Sequence, residues 1–136
     1  MDKLIVESTK DNLNKVLSFI DAKLEAIQCP MKAQMKIDVA VEEIFINIAS
    51  YAYGNEVGNA EIILDINDSN TKATITFVDE GIPYNPLEKD DPDTTLSADE
   101  RQIGGLGIFI VKKSMDSVEY KNQEGKNILT ISYCWS

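Results

Sequence analysis

The sequence contains no histidine among its 136 residues. This absence excludes a Ser-His-Asp triad and a Cys-His pair of the usual kind as catalytic machinery. It also excludes zinc sites built on histidine, and the chain cannot carry a phosphohistidine of its own. The sequence therefore excludes several common catalytic mechanisms that require histidine.

Cysteine and long apolar segments are also scarce. Cys29 and Cys134 lie far apart and form no Cys-x-x-Cys pair, so we expect two reduced thiols in or near the core. No apolar run reaches the roughly 18 residues that a membrane span needs. The N-terminus lacks a charged start followed by an apolar signal stretch. We therefore expect a cytoplasmic protein without a membrane partner.

Basic residues are in the minority, with 13 Lys and Arg against 23 Asp and Glu and a net charge of −10. This balance argues against nucleic acid or an anionic membrane as a partner. An acidic protein can still bind a phosphate locally, through backbone amides and a metal ion. The length and the 43% of hydrophobic residues suit one packed domain, residues 1–136.

Hydrophobic periodicity predicts the order strand, two helices, two strands, loop, helix, two strands. The predicted strands cover residues 3–7, 59–67, 72–78, 117–122 and 127–133, and the predicted helices cover 10–28, 31–53 and 106–115. This order indicates an α+β fold, a two-layer α/β sandwich whose mixed, mostly antiparallel sheet carries helices on one face. The polar segment 84–103 is a candidate lid, and a disordered surface insertion is the alternative.

The first candidate site lies on the second predicted helix. Glu43 and Asn47 are four residues apart, so they lie one turn apart on the same helix face, between strongly apolar neighbours. An amide oxygen suits Mg²⁺, which prefers hard oxygen ligands. A carboxylate one turn away can orient a nucleophile or accept its proton. The alternative is a solvated Glu-Asn pair with no function.

The second candidate site follows a predicted strand that ends at Val78. Asp79 lies where the strand end meets the interior, and its carboxylate can accept a hydrogen bond from an adenine amino group. Gly81 allows a base to approach the backbone closely, and Pro83 stiffens the turn. The alternative is an ordinary Asp-x-Gly turn.

The third candidate site is the segment Gly104-Gly105-Leu106-Gly107, directly before an apolar helix. Free amides at the start of a helix, with few side chains in the way, can bind phosphate. The segment lacks the Gly-Lys-Ser/Thr ending of a P-loop. It also lacks the third glycine and the preceding strand of a dinucleotide-binding motif. Lone glycines before a helix can also be purely structural.

In this order, the three motifs resemble those of the GHKL ATPase superfamily, also called the Bergerat fold. The layout is most similar to the bacterial anti-sigma factor serine kinases, and the resemblance covers nearly the whole chain. Glu43 and Asn47 match the first box, Glu-x-x-x-Asn. Asp79 and Gly81 match the second box, Asp-x-Gly, and Gly105-Leu106-Gly107 matches the third, Gly-x-Gly.

The resemblance implies a role for each motif. Glu43 is expected as the general base and Asn47 as the ligand of Mg²⁺, Asp79 would bind adenine, and segment 84–103 would form an ATP lid. The phosphates would be held by Gly104, Gly105, Leu106 and Gly107. The resemblance further implies a serine/threonine kinase that uses ATP and Mg²⁺ and acts on a protein partner, an anti-sigma antagonist or a sigma factor. Related proteins are often homodimers.

Two positions depart from the family pattern. The family commonly has an arginine where this chain has Gly105, and often a basic residue or histidine soon after the box asparagine, where this chain has residues 48–50, Ile-Ala-Ser. Both changes reduce positive charge near the phosphates, and Lys112 and Lys113 lie further along the helix. ATP binding is therefore better supported than phosphate transfer, and a nucleotide-binding module that sequesters a regulator is the alternative function.

Overall fold

The computed structural model describes residues 1–51, 58–83 and 105–135. The elements in chain order are β1 (Asp2–Glu7), a single 3₁₀ turn (Lys10–Asn12), α1 (Leu13–Ala26), α2 (Met31–Tyr51), β2 (Asn59–Ile66), β3 (Lys72–Asp79), α3 (Gly105–Ser114), β4 (Ser117–Gln123) and β5 (Lys126–Cys134). The predicted lid, residues 84–103, and Gly104 lie outside the described residues. No helix in the described ranges is long and apolar enough to span a membrane.

The five strands form one sheet in the order β1-β2-β3-β5-β4. All four neighbouring pairs are antiparallel, so within the described ranges the sheet contains no parallel pair, where a mixed sheet was expected. Two of the pairs are hairpins, whose strands necessarily run in opposite directions. Between β1 and β2, two helices carry the chain away and back, so β2 also returns antiparallel.

The tight turn between β4 and β5 explains how this hairpin closes. Glu124 and Gly125 form the turn, with φ angles of 55° and 79°. Positive φ at both central residues is the signature of a type I′ turn, whose twist matches that of the two strands it joins. The turn fixes the register of β5, and β5 lies directly beside β3.

The core lies between one face of the sheet and the helices. Alternate residues of β2, β3 and β5 point to this face, as the period of a strand requires. The helices contribute apolar stripes that pack against them. The buried residues of this core include Val16, Ile20, Leu24, Ile37, Val41, Ile44, Phe45, Ile62, Leu64, Ile75, Phe77, Val111 and Ile131. This arrangement confirms the predicted α+β fold class, with helices on one face.

Register aligns polar residues at one end of the buried face. Ala60 pairs with Asp79, Asp79 with Asn127, and Asn127 with Asn122. The next row inward, Ile62, Phe77 and Leu129, is apolar. At this end of the sheet, polar groups that can contact a ligand therefore replace the apolar side chains of the core.

Two carboxyl groups meet where α1 packs against α2. A side-chain hydrogen bond joins Asp38 of α2 to Asp21 of α1. The Oδ1 atoms of both residues are buried without a hydrogen-bond partner in the described residues. Burial, this hydrogen bond and the charges of Asp21, Glu25 and Glu42 raise the pKa of Asp38 to about 8. Asp38 therefore holds a proton at neutral pH.

Replacing Asp38 with asparagine should flatten the pH dependence of folding stability. The pKa of about 8 in the folded state lies above the ordinary 3.8, so the folded protein keeps a proton that the unfolded chain releases. The stability from this proton is fully present below about pH 4 and is lost as the pH rises through about 8. Urea unfolding across this window should show a smaller fall for Asp38→Asn than for the wild type.

The matched control is Asp65→Asn, which makes the same change of charge at an exposed position of β2. This variant should keep the wild-type slope of stability against pH. An Asp38→Asn slope equal to that of the wild type would contradict the role given to the Asp21–Asp38 contact.

Candidate functional site

Asp79 is the last residue of β3 and the one fully buried acidic residue in the described part of the chain. The sequence predicted that the strand ends at Val78, but the ladder continues one residue further, opposite Ala60 and Asn127. Strand alternation therefore turns the Asp79 side chain toward the buried face, where it is 6% exposed. Its Oδ1 atom accepts a hydrogen bond of 2.9 Å from the backbone N–H of Gly81.

Asn127 is the residue of this site that the sequence did not reveal. It lies on β5 beside Asp79, and it is also 6% exposed. Its Nδ2 group donates to Asp79 Oδ1 at 2.9 Å, to the Gly81 carbonyl at 3.3 Å and to the Ile82 carbonyl at 3.1 Å. Asn127 therefore binds both the carboxylate and the turn that follows β3.

The signal for Asn127 was present but weak. Residues 127, 129 and 131 alternate on the inward face of β5, and only the first of them is polar. A buried asparagine needs partners for its amide. The partner is identified only by the register of β5 against β3, which the sequence alone does not give.

A cavity of about 290 Å³ also borders the backbone of Asp79. Its lining includes Ile5, Glu61 and Val78. These side chains alternate with the inward residues Val6, Ala60 and Asp79, so they lie on the sheet face away from the helices. Because Ala60 and Asp79 also line it, this cavity lies at the same end of the sheet as the polar row.

Glu43 and Asn47 lie on one face of α2, as predicted from their spacing. Glu43 is half-buried, and burial, followed by the charge of Glu42, raises the pKa of its carboxyl group. A raised pKa brings a carboxylate closer to the range in which it can accept a proton at neutral pH. The Nδ2 atom of Asn47 is buried and has no hydrogen-bond partner in the described part of the chain.

The described residues contain no group of three His, Cys, Asp or Glu side chains that could form a metal cage. Mg²⁺ does not require one, because it keeps several waters and takes the oxygens of bound phosphates. One amide oxygen from Asn47 suits this kind of site. Within the described residues, no hydrogen bond of the fold uses the Nδ2 atom of Asn47. The residues present therefore fit a magnesium ion that arrives with a phosphate ligand.

The third motif forms the start of a helix. Gly105 is the first residue of α3, Leu106 and Gly107 follow in its first turn, and α3 packs against α2. The first N–H groups of a helix have no partner within it, and they can bind an anion. Lys112 and Lys113 lie in the last turn. At about 1.5 Å per residue, they are roughly 10 Å from the start of the helix.

The structure thus combines Asp79, Gly81 and Asn127 in one hydrogen-bonded unit, and it places Glu43 and Asn47 together on α2. The described residues show no hydrogen bond between the unit at Asp79 and the α2 pair. Chemically, the first unit offers a carboxylate acceptor, and α2 offers a carboxylate and an amide oxygen.

Comparison with known proteins identifies the family to which this chain is similar. The sequence model of the histidine kinase-like ATPase domain matches residues 6–133. The serine/threonine-protein kinase BtrW of Bordetella bronchiseptica is 25% identical over 101 residues, which are 74% of this chain and 70% of BtrW. The serine-protein kinase RsbW of Bacillus thuringiensis is 25% identical over 99 residues, and the match spans 61% of its length.

Solved structures share the fold at low sequence identity. The RsbU and RsbW domains of Rv1364c from Mycobacterium tuberculosis align with 98% of this chain and 32% of their own, with a TM-score of 0.68 and 12% identity. The histidine kinase AdeS of Acinetobacter baumannii aligns with all of this chain and 68% of its own, with a TM-score of 0.54 and 15% identity. The fold, the order of the motifs and the match over residues 6–133 agree, and the chain belongs to the histidine kinase-like ATPase domain family.

Proposed function

We propose that this chain binds Mg-ATP and transfers the terminal phosphate to a serine or threonine of a protein partner, an antagonist of an anti-sigma factor. The observation that carries the proposal is the buried Asp79 carboxylate, which two donors hold as a hydrogen-bond acceptor at the polar end of the sheet. The names of the relatives, BtrW and RsbW, support a serine or threonine as the acceptor of phosphate.

In this proposal, each motif contacts one part of the nucleotide. Asp79 accepts a hydrogen bond from the amino group of adenine, and Gly81 leaves room for the ring. The phosphates bind to the N–H groups around Gly104, Gly105, Leu106 and Gly107. Asn47 would hold Mg²⁺ through its side-chain oxygen, and the ion would neutralise the charge of the phosphates.

Glu43 would act on the phosphate acceptor. The hydroxyl oxygen of the partner's serine or threonine attacks the terminal phosphorus, and the bond from that phosphorus to the bridging oxygen of ADP breaks. The proton of the hydroxyl group passes to the Glu43 carboxylate. Most of the rate enhancement comes from position and charge neutralisation, as in other phosphoryl transfers.

A second candidate function is a module that binds nucleotide and sequesters a sigma factor or another regulator with little turnover. The observation in its favour is the low positive charge near the phosphates. Gly105 stands where the family commonly has an arginine. The lysines of α3 lie in its last turn, at the far end from Gly105.

The partner and the setting follow from the same proposal. The acidic surface, with a net charge of −10, suits a protein partner rather than nucleic acid or an anionic membrane. A kinase that uses ATP would act in the cytoplasm, where ATP is abundant. We also propose that the chain acts as one domain and forms homodimers, as its resemblance to the anti-sigma factor kinases implies.

Phosphate transfer to a partner tests the two functions against each other. The chain would be incubated with Mg-ATP that carries a labelled terminal phosphate and with the purified small proteins encoded beside its gene. Label on a serine or threonine of one of them supports the kinase. Tight nucleotide binding and a stable complex without transfer would favour the sequestering module, and no affinity for Mg-ATP would refute both.

Replacing Asn47 with alanine should abolish the dependence of ATP binding on Mg²⁺ while the fold persists. The variant loses the proposed metal ligand but also removes a buried amide nitrogen that has no partner in the described residues, so thermal stability should not fall. Calorimetric titration with ATP, with and without Mg²⁺, measures the effect. Asn14→Ala, at an exposed position of α1, is the control. Unchanged affinity for Mg-ATP in Asn47→Ala would exclude Asn47 as the ligand.

A further inference from the structure

We propose that Asn127 is a positioning residue that sets the choice of purine, because it fixes Asp79 as a hydrogen-bond acceptor in one orientation. The inference rests on the proposed binding of ATP at this end of the sheet. It assigns to β5 a part in base recognition that none of the three sequence motifs contains.

The first step of the argument is that the amide of Asn127 has only one possible orientation. On one side, its Oδ1 atom accepts hydrogen bonds from the Tyr120 hydroxyl group and from Asn122 Nδ2, the latter at 3.1 Å. On the other side, the partners of its Nδ2 atom among the described residues are all acceptors, including Asp79 Oδ1 at 2.9 Å. A flipped amide would place its oxygen against the oxygens of Asp79, Gly81 and Ile82. The donor end of Asn127 must therefore face Asp79.

The second step concerns the two carboxyl oxygens of Asp79. Its Oδ1 atom receives two hydrogen bonds, from the Gly81 N–H group and from Asn127 Nδ2. The described residues provide no hydrogen bond to Oδ2. Oδ2 is therefore left as an acceptor of defined direction for a ligand.

The third step concerns the backbone beside Asp79. The Nδ2 atom of Asn127 also donates to the carbonyl groups of Gly81 and Ile82, at 3.3 and 3.1 Å. The same side chain therefore fixes both the carboxylate and the turn over which a base would lie. A purine with an amino group at C6 can donate to Oδ2, whereas a carbonyl at C6 would oppose oxygen to oxygen. Selection of adenine thus depends on Asn127 as well as on Asp79.

The test compares ATP with purine riboside triphosphate, which is ATP without the C6 amino group. The ratio of the two affinities reports the hydrogen bond to that amino group and little else. Wild type should prefer ATP by about 10- to 100-fold, the value of one hydrogen bond in a buried site. Asn127→Leu removes one of the two donors to Asp79 Oδ1 at similar volume, so that the Gly81 N–H group alone holds the carboxyl group. The ratio should then fall to about threefold or less.

Matched variants separate positioning from a purely structural role. Asn14→Leu, at an exposed position of α1, should keep the wild-type ratio. Tyr120→Phe removes one donor to Asn127 Oδ1 and should reduce the ratio less than Asn127→Leu. If Asn127→Leu weakened both nucleotides by the same factor, so that the ratio stayed at the wild-type value, Asn127 would be structural and the inference wrong.

The wild-type titrations distinguish the failure of this inference from that of the proposed function. Wild type that binds ATP and the analogue equally would refute base recognition by Asp79 and Asn127, while nucleotide binding would stand. Wild type that binds neither would refute the proposed function and the inference with it. Thermal unfolding of each variant verifies that its fold is intact before the affinities are compared.

Discussion

Replacing Glu43 with glutamine should slow phosphate transfer to the protein partner by about 10²- to 10⁴-fold, the usual loss when a general base is removed. Glutamine has nearly the same shape as glutamate but cannot take the proton of the attacking hydroxyl group. Binding of Mg-ATP should be at least as tight as in the wild type, because the substitution removes a negative charge near the phosphates. Glu43→Gln should therefore lower the rate of phosphate transfer without lowering the affinity for Mg-ATP.

The neighbouring acid provides a matched control for this prediction. Glu42→Gln makes the same chemical change one residue away, at an exposed position on another face of α2. The charge of Glu42 raises the pKa of Glu43, so its removal lowers that pKa toward the ordinary value. Glu42→Gln should therefore have only a small effect on the rate of phosphate transfer. Single-turnover transfer and a binding titration, run for all three proteins, measure both quantities. Equal rates for Glu43→Gln and wild type would remove Glu43 from catalysis.

The raised pKa of Glu43 has a physical cause that the sequence indicates only partly. Glu43 lies among apolar neighbours, which predicts partial burial, and burial is the larger cause of the shift. The adjacent acid, Glu42, is visible in the sequence as the second cause. By contrast, the raised pKa of Asp38 depends on burial and then on Asp21, which lies on another helix. That contact required the packing of α1 on α2, which periodicity does not give.

The fold also has features that the local sequence predicts and features that depend on distant contacts. The helices and strands follow from local patterns, and apart from the start of the first helix their bounds within the described residues lie within one or two residues of those predicted. The predicted start of the first helix, residue 10, was wrong, because α1 begins at Leu13. A 3₁₀ turn precedes α1, and the Ser8 hydroxyl group donates to the Gly58 carbonyl at 2.9 Å. A partner 50 residues away cannot be inferred from the local sequence.

The candidate site shows the same limit. Asp79 and Gly81 form a local unit, with 2.9 Å between Asp79 Oδ1 and the Gly81 nitrogen, and their motif is visible in the chain. Asn127 belongs to the same unit but comes 48 residues after Asp79, and only strand order and register place it there. The roles of Glu43, Asn47, Asp79 and the glycines remain predictions. The hydrogen bonds around Asp79 allow its predicted role in binding adenine to be tested by a single substitution.

Replacing Asp79 with asparagine should invert the preference between ATP and inosine triphosphate, which carries a carbonyl group at C6. The Gly81 N–H group and Asn127 Nδ2 both donate toward the position of Oδ1. The new amide must therefore place its oxygen there and direct its NH₂ group toward the base. This donor opposes the amino group of adenine but pairs with the carbonyl group of hypoxanthine.

Each mismatched or matched contact is worth about 1.4–2.8 kcal/mol, or roughly 10- to 100-fold in affinity. Because ATP loses a contact and inosine triphosphate gains one, the ratio of their affinities should change by about 10²- to 10⁴-fold. Competition titrations with both nucleotides measure it, and Asp65→Asn on β2 controls for the change in net charge. An Asp79→Asn protein that still prefers ATP by the wild-type factor would show that adenine is recognised elsewhere. Inversion of the preference would show that this carboxylate, in the orientation set by Asn127, is what distinguishes an amino group from a carbonyl.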